Sequence, residues 1–240
     1  MRNPESAFTG EAFPGYGLRV TFYALLAKAE PMNHQVTINF ILAGVGGQGT
    51  ILASDLLAQV GMEAGYDVKQ AEVHGMAQRG GSVSSHVRWG PVVYSPLIAA
   101  GEADILVGFE QVEALRFAYF LRPGGVALVN QQAIAPITVS AGPALYPSMD
   151  SLRSGLAQVT DRVFWAPAMD IARALGNDKV TNVVLLGALS ALLEVPDRVW
   201  LKAIESRVPA RFLQLNQSAF LQGREALALN GASVRDAVNV

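Results

Sequence analysis

The sequence contains no cysteine in its 240 residues. The chain therefore cannot form a disulfide, bind zinc through thiolates or hold a cysteine-ligated iron–sulfur cluster. Charged residues are also few, at 16%, with 18 Lys and Arg against 20 Asp and Glu, and the basic residues form no run. A near-neutral chain without a basic patch lacks the electrostatic footprint of a nucleic-acid-binding protein. We expect no nucleic-acid partner, and any iron–sulfur centre must belong to another chain.

Long apolar segments are missing as well. The longest apolar run, residues 183–193, is interrupted by Gly187 and Ser190 and falls short of the roughly 20 residues that span a bilayer. A second apolar segment near the N-terminus follows Glu5 and Glu11, where a signal peptide carries positive charge. The sequence therefore predicts a cytoplasmic protein without a membrane partner.

Apolar residues, by contrast, make up 51% of the chain, which is enough to bury one large core. Residues 1–31 are rich in glycine, proline and small side chains up to Gly17, and the first strand pattern starts only after Met32. We predict an N-terminal extension outside the fold at 1–31, a single domain at 32–230 and a C-terminal tail at 231–240.

The chain is organised around a glycine-rich turn, residues 44–49. An apolar run leads into Gly44, Gly46, Gly47 and Gly49, and a helical pattern follows. The spacing G-x-G-x-x-G is typical of a strand, a tight turn and a helix, whose N-terminal N–H groups and dipole attract an anion. These four glycines are our predicted anion- or phosphate-binding turn, although the geometry of the turn alone would also explain them.

Strand patterns alternate with helical patterns along most of the chain. The predicted strands are 36–43, 67–73, 104–109, 126–130, 134–140 and 163–166, and the predicted helices are 50–64, 110–121, 149–159, 169–175, 183–193, 196–207 and 212–229. Residues 83–89 alternate as in a strand and are predicted to form a β-hairpin with 92–94, which leaves His86 facing solvent or a partner. The fold class is α/β: a three-layer α/β/α sandwich with a Rossmann-like start, an inserted β-hairpin and a helical C-terminal part.

A second unusual stretch, residues 72–81, is rich in glycine and polar residues. Glu72, His74, Gln78 and Arg79 are predicted to gather at the carboxyl edge of the sheet beside the glycine turn, where α/β folds bind ligands. These four residues are our candidate catalytic residues. The alternative is a charged loop in which Glu72 and Arg79 simply pair with each other.

Two other functions fit the glycine turn. A stand-alone NAD(P)-binding oxidoreductase needs an acid at the end of its second strand; Asp67 lies at the wrong end of that strand, and Glu72 is better placed. A non-catalytic module could use the same turn to sense an anion. The sequence has no nucleophile elbow and no His, Asp and Glu spacing typical of a metal site.

Several segments together resemble a known family. They are GVGGQG at 44–49, EVHGMAQRGGS at 72–82, SHVR at 85–88, VYSPL at 93–97 and shorter matches as far as residue 220. The chain is similar over residues 36–222 to the smaller subunit of indolepyruvate:ferredoxin oxidoreductase, which corresponds to the gamma-type subunit or domain of the 2-oxoacid:ferredoxin oxidoreductases. The sequence HGMAQR at 74–79 resembles the arylpyruvate branch more than the pyruvate branch.

The resemblance implies a division of labour between subunits. A large alpha subunit would hold thiamine diphosphate, magnesium and [4Fe-4S] clusters, while this chain would bind no cofactor alone. The complex would decarboxylate an arylpyruvate oxidatively, form an acyl-CoA with CoA as co-substrate and pass electrons to ferredoxin. Within it, the segment from Glu72 to Gly81 would face the active site of the partner.

Overall fold

A computed structural model of the chain describes residues 36–74, 80–134 and 146–230. The chain divides into two units after Met32, and every described residue belongs to the second, Asn33–Val240. No helix in these described segments is long and apolar enough to cross a membrane.

The centre of the described fold is a mixed sheet. Its strands are β1 (Ile38–Val45), β2 (Asp67–His74), β3 (Ser82–Gly90), β4 (Ala103–Gly108), β5 (Leu121–Asn130) and β6 (Val163–Ala166), in the order β2-β3-β1-β4-β5-β6. Strands β1, β4, β5 and β6 run parallel, whereas β3 is antiparallel to both of its neighbours, β1 and β2. The carboxyl ends of β1, β2, β4 and β5 therefore meet at one edge, which we call the carboxyl edge.

Helices cover both faces of the sheet. They are α1 (Thr50–Glu63), α2 (Gln111–Phe117), α3 (Met149–Ala157), α4 (Ala168–Ala174), α5 (Thr181–Ser190), α6 (Asp197–Arg207) and α7 (Ala210–Asn230). Helix α1 contacts α5 and α6, whereas α2 contacts α3. Ile41 and Ala43 pack with Ala114 of α2 and Leu156 of α3, and alternate residues of a strand face opposite sides. The predicted α/β sandwich is confirmed.

Two small residues allow α5 and α7 to pack backbone against backbone. A Cβ atom at Gly187 would lie 2.0 Å from the carbonyl oxygen of Phe220, and one at Gly223 would lie 2.0 Å from that of Val184. All ten residues of α5 are buried. The predicted helical C-terminal part is thus an integral layer of the sandwich.

The predicted hairpin between residues 83–89 and 92–94 is wrong. Residues 92–94 form no strand, and Tyr94 is 94% exposed. Instead β3 lies between two strands, with Val87 opposite Phe40 of β1 on one side and Gln70 of β2 on the other. The antiparallel pair inserted into the sheet is therefore β2 and β3, joined by the polar stretch at 72–81.

The predicted exposure of His86 is also wrong. Its side chain is buried, its Nδ1 accepts a hydrogen bond from the Ile98 N–H at 3.1 Å, and its ring meets Phe120 edge-on. The polar alternation of β3 suggested a solvated face, but Ile98 and Phe120 cover the face on which His86 lies. Burial lowers the pKa of His86, so the ring is held neutral.

Several other predicted elements differ in extent, among them the strand predicted for 126–130, which spans Leu121–Asn130. The helix predicted for 110–121 ends at Phe117 and continues as a 3-10 turn, because β5 begins at Leu121. The strand predicted for 134–140 lies outside the described residues except for Ile134.

Candidate functional site at the carboxyl edge

The glycine turn, residues 44–49, joins β1 to α1 at the carboxyl edge. Gly47 and Gly49 have φ values of 107° and 77°, a region that side chains disfavour. A Cβ atom at Gly44 would lie 2.8 Å from Phe109 Cβ and 2.9 Å from Gln48 Oε1, whereas one at Gly47 would meet nothing within 4 Å. Gly44 is therefore needed for internal packing, and Gly47 borders open space.

Helix α1 begins directly after this turn. Gly49 is its N-cap, the Ala53 N–H donates to the Gly49 carbonyl, and the first turn contains no acidic residue. The first N–H groups of a helix have no partner within the helix, and they carry its positive dipole end. The turn thus has the local geometry of an anion site, with the half-exposed side chains of Ile51 and Leu52 beside it.

The polar loop, residues 72–81, ends against the glycine turn. The Gly46 N–H donates to the Gly81 carbonyl at 2.8 Å, and the Gly80 N–H donates to the Gly46 carbonyl at 3.3 Å. Ser82, the next residue, donates its hydroxyl to Glu113 Oε2 at 2.5 Å. The exit of the polar loop is therefore bonded to the glycine turn and to α2.

The four candidate catalytic residues are only partly within the described chain. Glu72 is exposed near the end of β2, opposite Ser85 of β3. The side chain of His74 and the whole of Gln78 and Arg79 lie outside the described residues. Since β3 separates β2 from β1, Glu72 lies two strands, or about 10 Å, from β1.

A polar network at the carboxyl edge was not predicted from the sequence. Gln48 Oε1 accepts from the Val45 N–H at 2.7 Å, and Gln48 Nε2 donates to the Phe109 carbonyl at 3.0 Å and to Gln132 Oε1 at 3.2 Å. Asn130 Nδ2 donates to the same two acceptors, at 3.1 Å each. Together these amides join the ends of β1, β4 and β5.

Two buried carboxylates lie beside this network. Glu110 is 1% exposed and accepts from the Glu113 N–H, the Ile134 N–H and the Tyr146 hydroxyl. Glu113, 4% exposed, accepts from Ser82 and lies 3.4 Å from Arg116. Burial, together with the hydrogen bond to Glu110, raises the pKa of Tyr146, so the phenol remains a donor.

One signal in the sequence could have revealed these residues. Glu110 lies two residues after β4, Asn130 is the last residue of β5, and Gln132 lies two residues beyond it. Polar residues that follow neighbouring parallel strands meet at the same edge of the sheet. They were not predicted from the sequence, because the candidate site was placed on the glycine turn and the polar loop alone.

Asp67, the other acid weighed for a dinucleotide site, has a structural role at the opposite end of β2. Its carboxylate accepts from Lys69 at 2.5 Å and from the Val93 N–H at 2.8 Å. The hydrogen bond from Lys69, with help from Val93, lowers the pKa of Asp67. This residue fixes the segment that follows β3.

Chemically, the described part of the edge offers backbone N–H groups and amide and carboxylate side chains that already hydrogen-bond one another. No group of three or more His, Asp and Glu that could hold a metal occurs among the described residues. The arrangement is therefore suited to binding an anion or supporting a neighbouring chain.

The fold and the carboxyl edge define a class of protein. It is an α/β domain in which the glycine turn follows β1, the strand from which the strand order runs in both directions, and in which the polar loop is hydrogen-bonded to that turn. The sequence profile of the family Pyruvate ferredoxin/flavodoxin oxidoreductase matches residues 39–226. The chain belongs to this family. It is accordingly a subunit of an oxidoreductase of the 2-oxoacid:ferredoxin type, which acts within a complex.

Individual relatives agree with this assignment. The chain is 40% identical over 191 residues to the Indolepyruvate oxidoreductase subunit IorB of Thermococcus kodakarensis, a match that covers 78% of this chain and 95% of that protein. It is 40% identical over 188 residues to the subunit of the same name from Archaeoglobus fulgidus, covering 78% and 93%. The structure of the keto/oxoacid ferredoxin oxidoreductase gamma subunit from Geobacter sulfurreducens is similar, with a TM-score of 0.60 and 27% identity over 80% of this chain and 99% of that one.

Proposed function

We propose that this chain is the smaller subunit of a thiamine-diphosphate-dependent arylpyruvate:ferredoxin oxidoreductase, with indolepyruvate in its substrate class. The observation that carries the proposal is the 40% identity to Indolepyruvate oxidoreductase subunits over nearly their whole length. Ketoisovalerate and 2-oxoglutarate oxidoreductase subunits are more distant, at 31% and 29% identity. The higher identity to the indolepyruvate subunits favours an arylpyruvate over an aliphatic 2-oxoacid as the substrate.

The cofactors of this reaction belong to a larger alpha subunit. Thiamine diphosphate with magnesium supplies the decarboxylation chemistry, and [4Fe-4S] clusters carry the electrons. The arylpyruvate and CoA yield an acyl-CoA, carbon dioxide and a proton, while two electrons reduce ferredoxin. Because this chain has no cysteine, thiolate ligands for the clusters must come from the partner. The assembly would work in the cytoplasm.

Within the complex, the polar loop supports the active site of the partner. Glu72, His74, Gln78 and Arg79 would be the residues that face it. Support comes from the exit of the loop: Gly80 and Gly81 are bonded to Gly46 at the carboxyl edge, where α/β folds present functional groups. Arg79 immediately precedes this anchored pair.

The glycine turn would accompany this loop as an anion-binding element. Gly44, Gly46, Gly47 and Gly49 shape a turn that leads into the N-terminus of α1. The N–H groups there suit a phosphate or carboxylate of the substrate, of CoA or of a cofactor. Open space beside Gly47 leaves room for such a group.

The geometry disfavours a stand-alone NAD(P)-binding oxidoreductase. In a dinucleotide fold the acid that binds the ribose lies on the strand next to β1, but here β3 occupies that position and Glu72 is one strand further away. In addition, the Gln48 side chain spans the crevice between the ends of β1 and β4. Titration of the chain with NADH should show no change in cofactor fluorescence.

The test of the proposal is reconstitution. The chain is co-expressed with its candidate partner, the large thiamine- and iron–sulfur-containing subunit that we expect to be encoded beside it, and the purified complex is assayed anaerobically for ferredoxin reduction with CoA. We expect activity with indolepyruvate and phenylpyruvate well above that with pyruvate or 2-ketoisovalerate, and none from either subunit alone. A preference for an aliphatic 2-oxoacid would refute the substrate class. Failure to copurify with such a partner would favour the anion-sensing module instead.

A further inference from the structure

We propose that Gln48 is a positioning residue for the reaction: its carboxamide fixes the glycine turn and, through that turn, the exit of the polar loop. This inference rests on the proposed function of the polar loop. It assigns a role to a residue that touches neither substrate nor cofactor in the proposal.

The first step is the orientation of the Gln48 carboxamide, which its partners determine. Oε1 faces the Val45 N–H, which can only donate, and Nε2 faces the Phe109 carbonyl, which can only accept. Nε2 also reaches Gln132 Oε1. A single side chain thus ties the end of β1 to the residue after β4 and to the segment after β5, with every bond made in the correct direction.

The second step is the room made for this side chain. A Cβ atom at Gly44 would lie 2.9 Å from Gln48 Oε1 and 2.8 Å from Phe109 Cβ, both closer than real Cβ contacts. The glycine at position 44 is therefore required by the Gln48 carboxamide and by Phe109. The carboxamide therefore occupies space that a side chain at position 44 would need, and it packs as part of the turn.

The third step connects the turn to the polar loop. Gly46 lies between Val45, whose N–H is held by Gln48, and Gln48 itself. Both hydrogen-bonding groups of Gly46 are used by the loop exit, since its N–H donates to Gly81 and its carbonyl accepts from Gly80. A shift of the turn would therefore move the residues that directly follow the candidate residues of the loop.

The resulting expectation concerns turnover. If Gln48 is lost, the turn and the loop exit shift by fractions of an ångström while the sheet remains. Misplacement of that order in an active-site support lowers kcat by a factor between about 10 and 100. KM for the arylpyruvate should change much less than kcat, because Gln48 acts on the placement of the loop exit and makes no direct contact with the 2-oxoacid in this proposal.

The experiment uses the reconstituted complex and two variants of Gln48. Gln48→Met removes both hydrogen-bonding functions at nearly the same volume, and it should lower kcat between about 10- and 100-fold with the complex intact. Gln48→Glu keeps the acceptor for Val45 but places a carboxylate against the Phe109 carbonyl. It should also lower kcat, because the donor to the Phe109 carbonyl is replaced by a negative charge.

Matched variants at the neighbouring amide provide the control. Gln132 Oε1 accepts from both Gln48 and Asn130. Gln132→Glu keeps this acceptor and should retain nearly full turnover, whereas Gln132→Leu removes it and should lower kcat.

The outcomes separate this inference from the proposed function. Wild-type kcat in Gln48→Met or in Gln48→Glu, a rise in KM as large as the fall in kcat, or loss of assembly in Gln48→Met would each overturn the positioning role. If Arg79→Ala lowers turnover while Gln48→Met does not, only this inference fails. If both variants match wild type, the proposed role of the polar loop fails with it.

Discussion

Replacement of Glu110 by alanine tests whether the buried carboxylate organises this part of the molecule. Glu110 is 1% exposed, and its two oxygens accept from three donors: the Glu113 N–H at 2.9 Å, the Ile134 N–H at 3.1 Å and the Tyr146 hydroxyl. The first of these bonds caps α2. The alanine variant leaves all three donors without this acceptor.

The expected loss of stability follows from these three bonds. Removal of an N-cap costs about 1 kcal/mol. Each lost hydrogen bond costs about 1–3 kcal/mol, most for the buried Glu113 N–H and less for the half-buried donors of Ile134 and Tyr146. Because losses in one network are not additive, we expect the free energy of unfolding to fall by about 3–5 kcal/mol. For a domain of this size that corresponds to a decrease in Tm of roughly 6–20 °C.

The assay is urea and thermal unfolding of the purified chain, followed by circular dichroism. Tyr146→Phe is the matched control, because it removes one donor and leaves the carboxylate bonded to the Glu113 and Ile134 N–H groups; it should cost about 1 kcal/mol. The reasoning is refuted if Glu110→Ala lies within about 1 kcal/mol of wild type, or if Tyr146→Phe is equally damaging.

Two further predictions concern the core. Burial lowers the pKa of His86 below 6.5, so the folded state favours the neutral ring; its stabilising contribution is complete above pH 6.5 and is lost as the pH falls through the lowered value. The urea midpoint should therefore drop on acidification, and less so in His86→Gln. Gly187→Ala would place a methyl group 2.0 Å from the Phe220 carbonyl, forcing α5 and α7 apart at a cost of about 3 kcal/mol. Gln222→Ala, at an exposed position on α7, should be nearly neutral in the same assay.

The parts of the fold that depend on neighbouring residues were predictable from the sequence. The strand, glycine turn and helix at 36–64 and the helices of the last quarter all appear where the pattern indicated. Strand β6 has the predicted bounds, Val163–Ala166. In each case apolar periodicity and local turn residues carry enough information to define the element.

The pairing of β3 was not predictable in this way. Val87 pairs with Gln70 of β2, the strand directly before it, and with Phe40 of β1, which is distant in the chain. The pairing with β1 leaves no local pattern in the sequence. A similar cause explains the error at His86: alternating polar residues look solvated until other segments, here those that contain Ile98 and Phe120, are known to cover them.

At the carboxyl edge, too, features set by neighbouring residues were predictable and features set by distant contacts were not. The spacing of the glycines predicts the glycine turn from the sequence alone. The partners of Gln48 come together only in the folded sheet, where the ends of β1, β4 and β5 meet. The sequence therefore identified the backbone of the candidate site and missed the side chains that hold it.

The most direct test of the central claim is the turnover of the reconstituted complex with Arg79→Ala, measured as ferredoxin reduction with indolepyruvate and CoA. Arg198→Ala, an exposed arginine on α6, is the control for loss of one positive charge. If the polar loop completes the reaction centre of the partner, Arg79→Ala lowers kcat at least about tenfold with assembly unchanged, and Arg198→Ala does not. Equal, near-wild-type turnover in both variants would contradict the claim and leave the loop a purely structural connection.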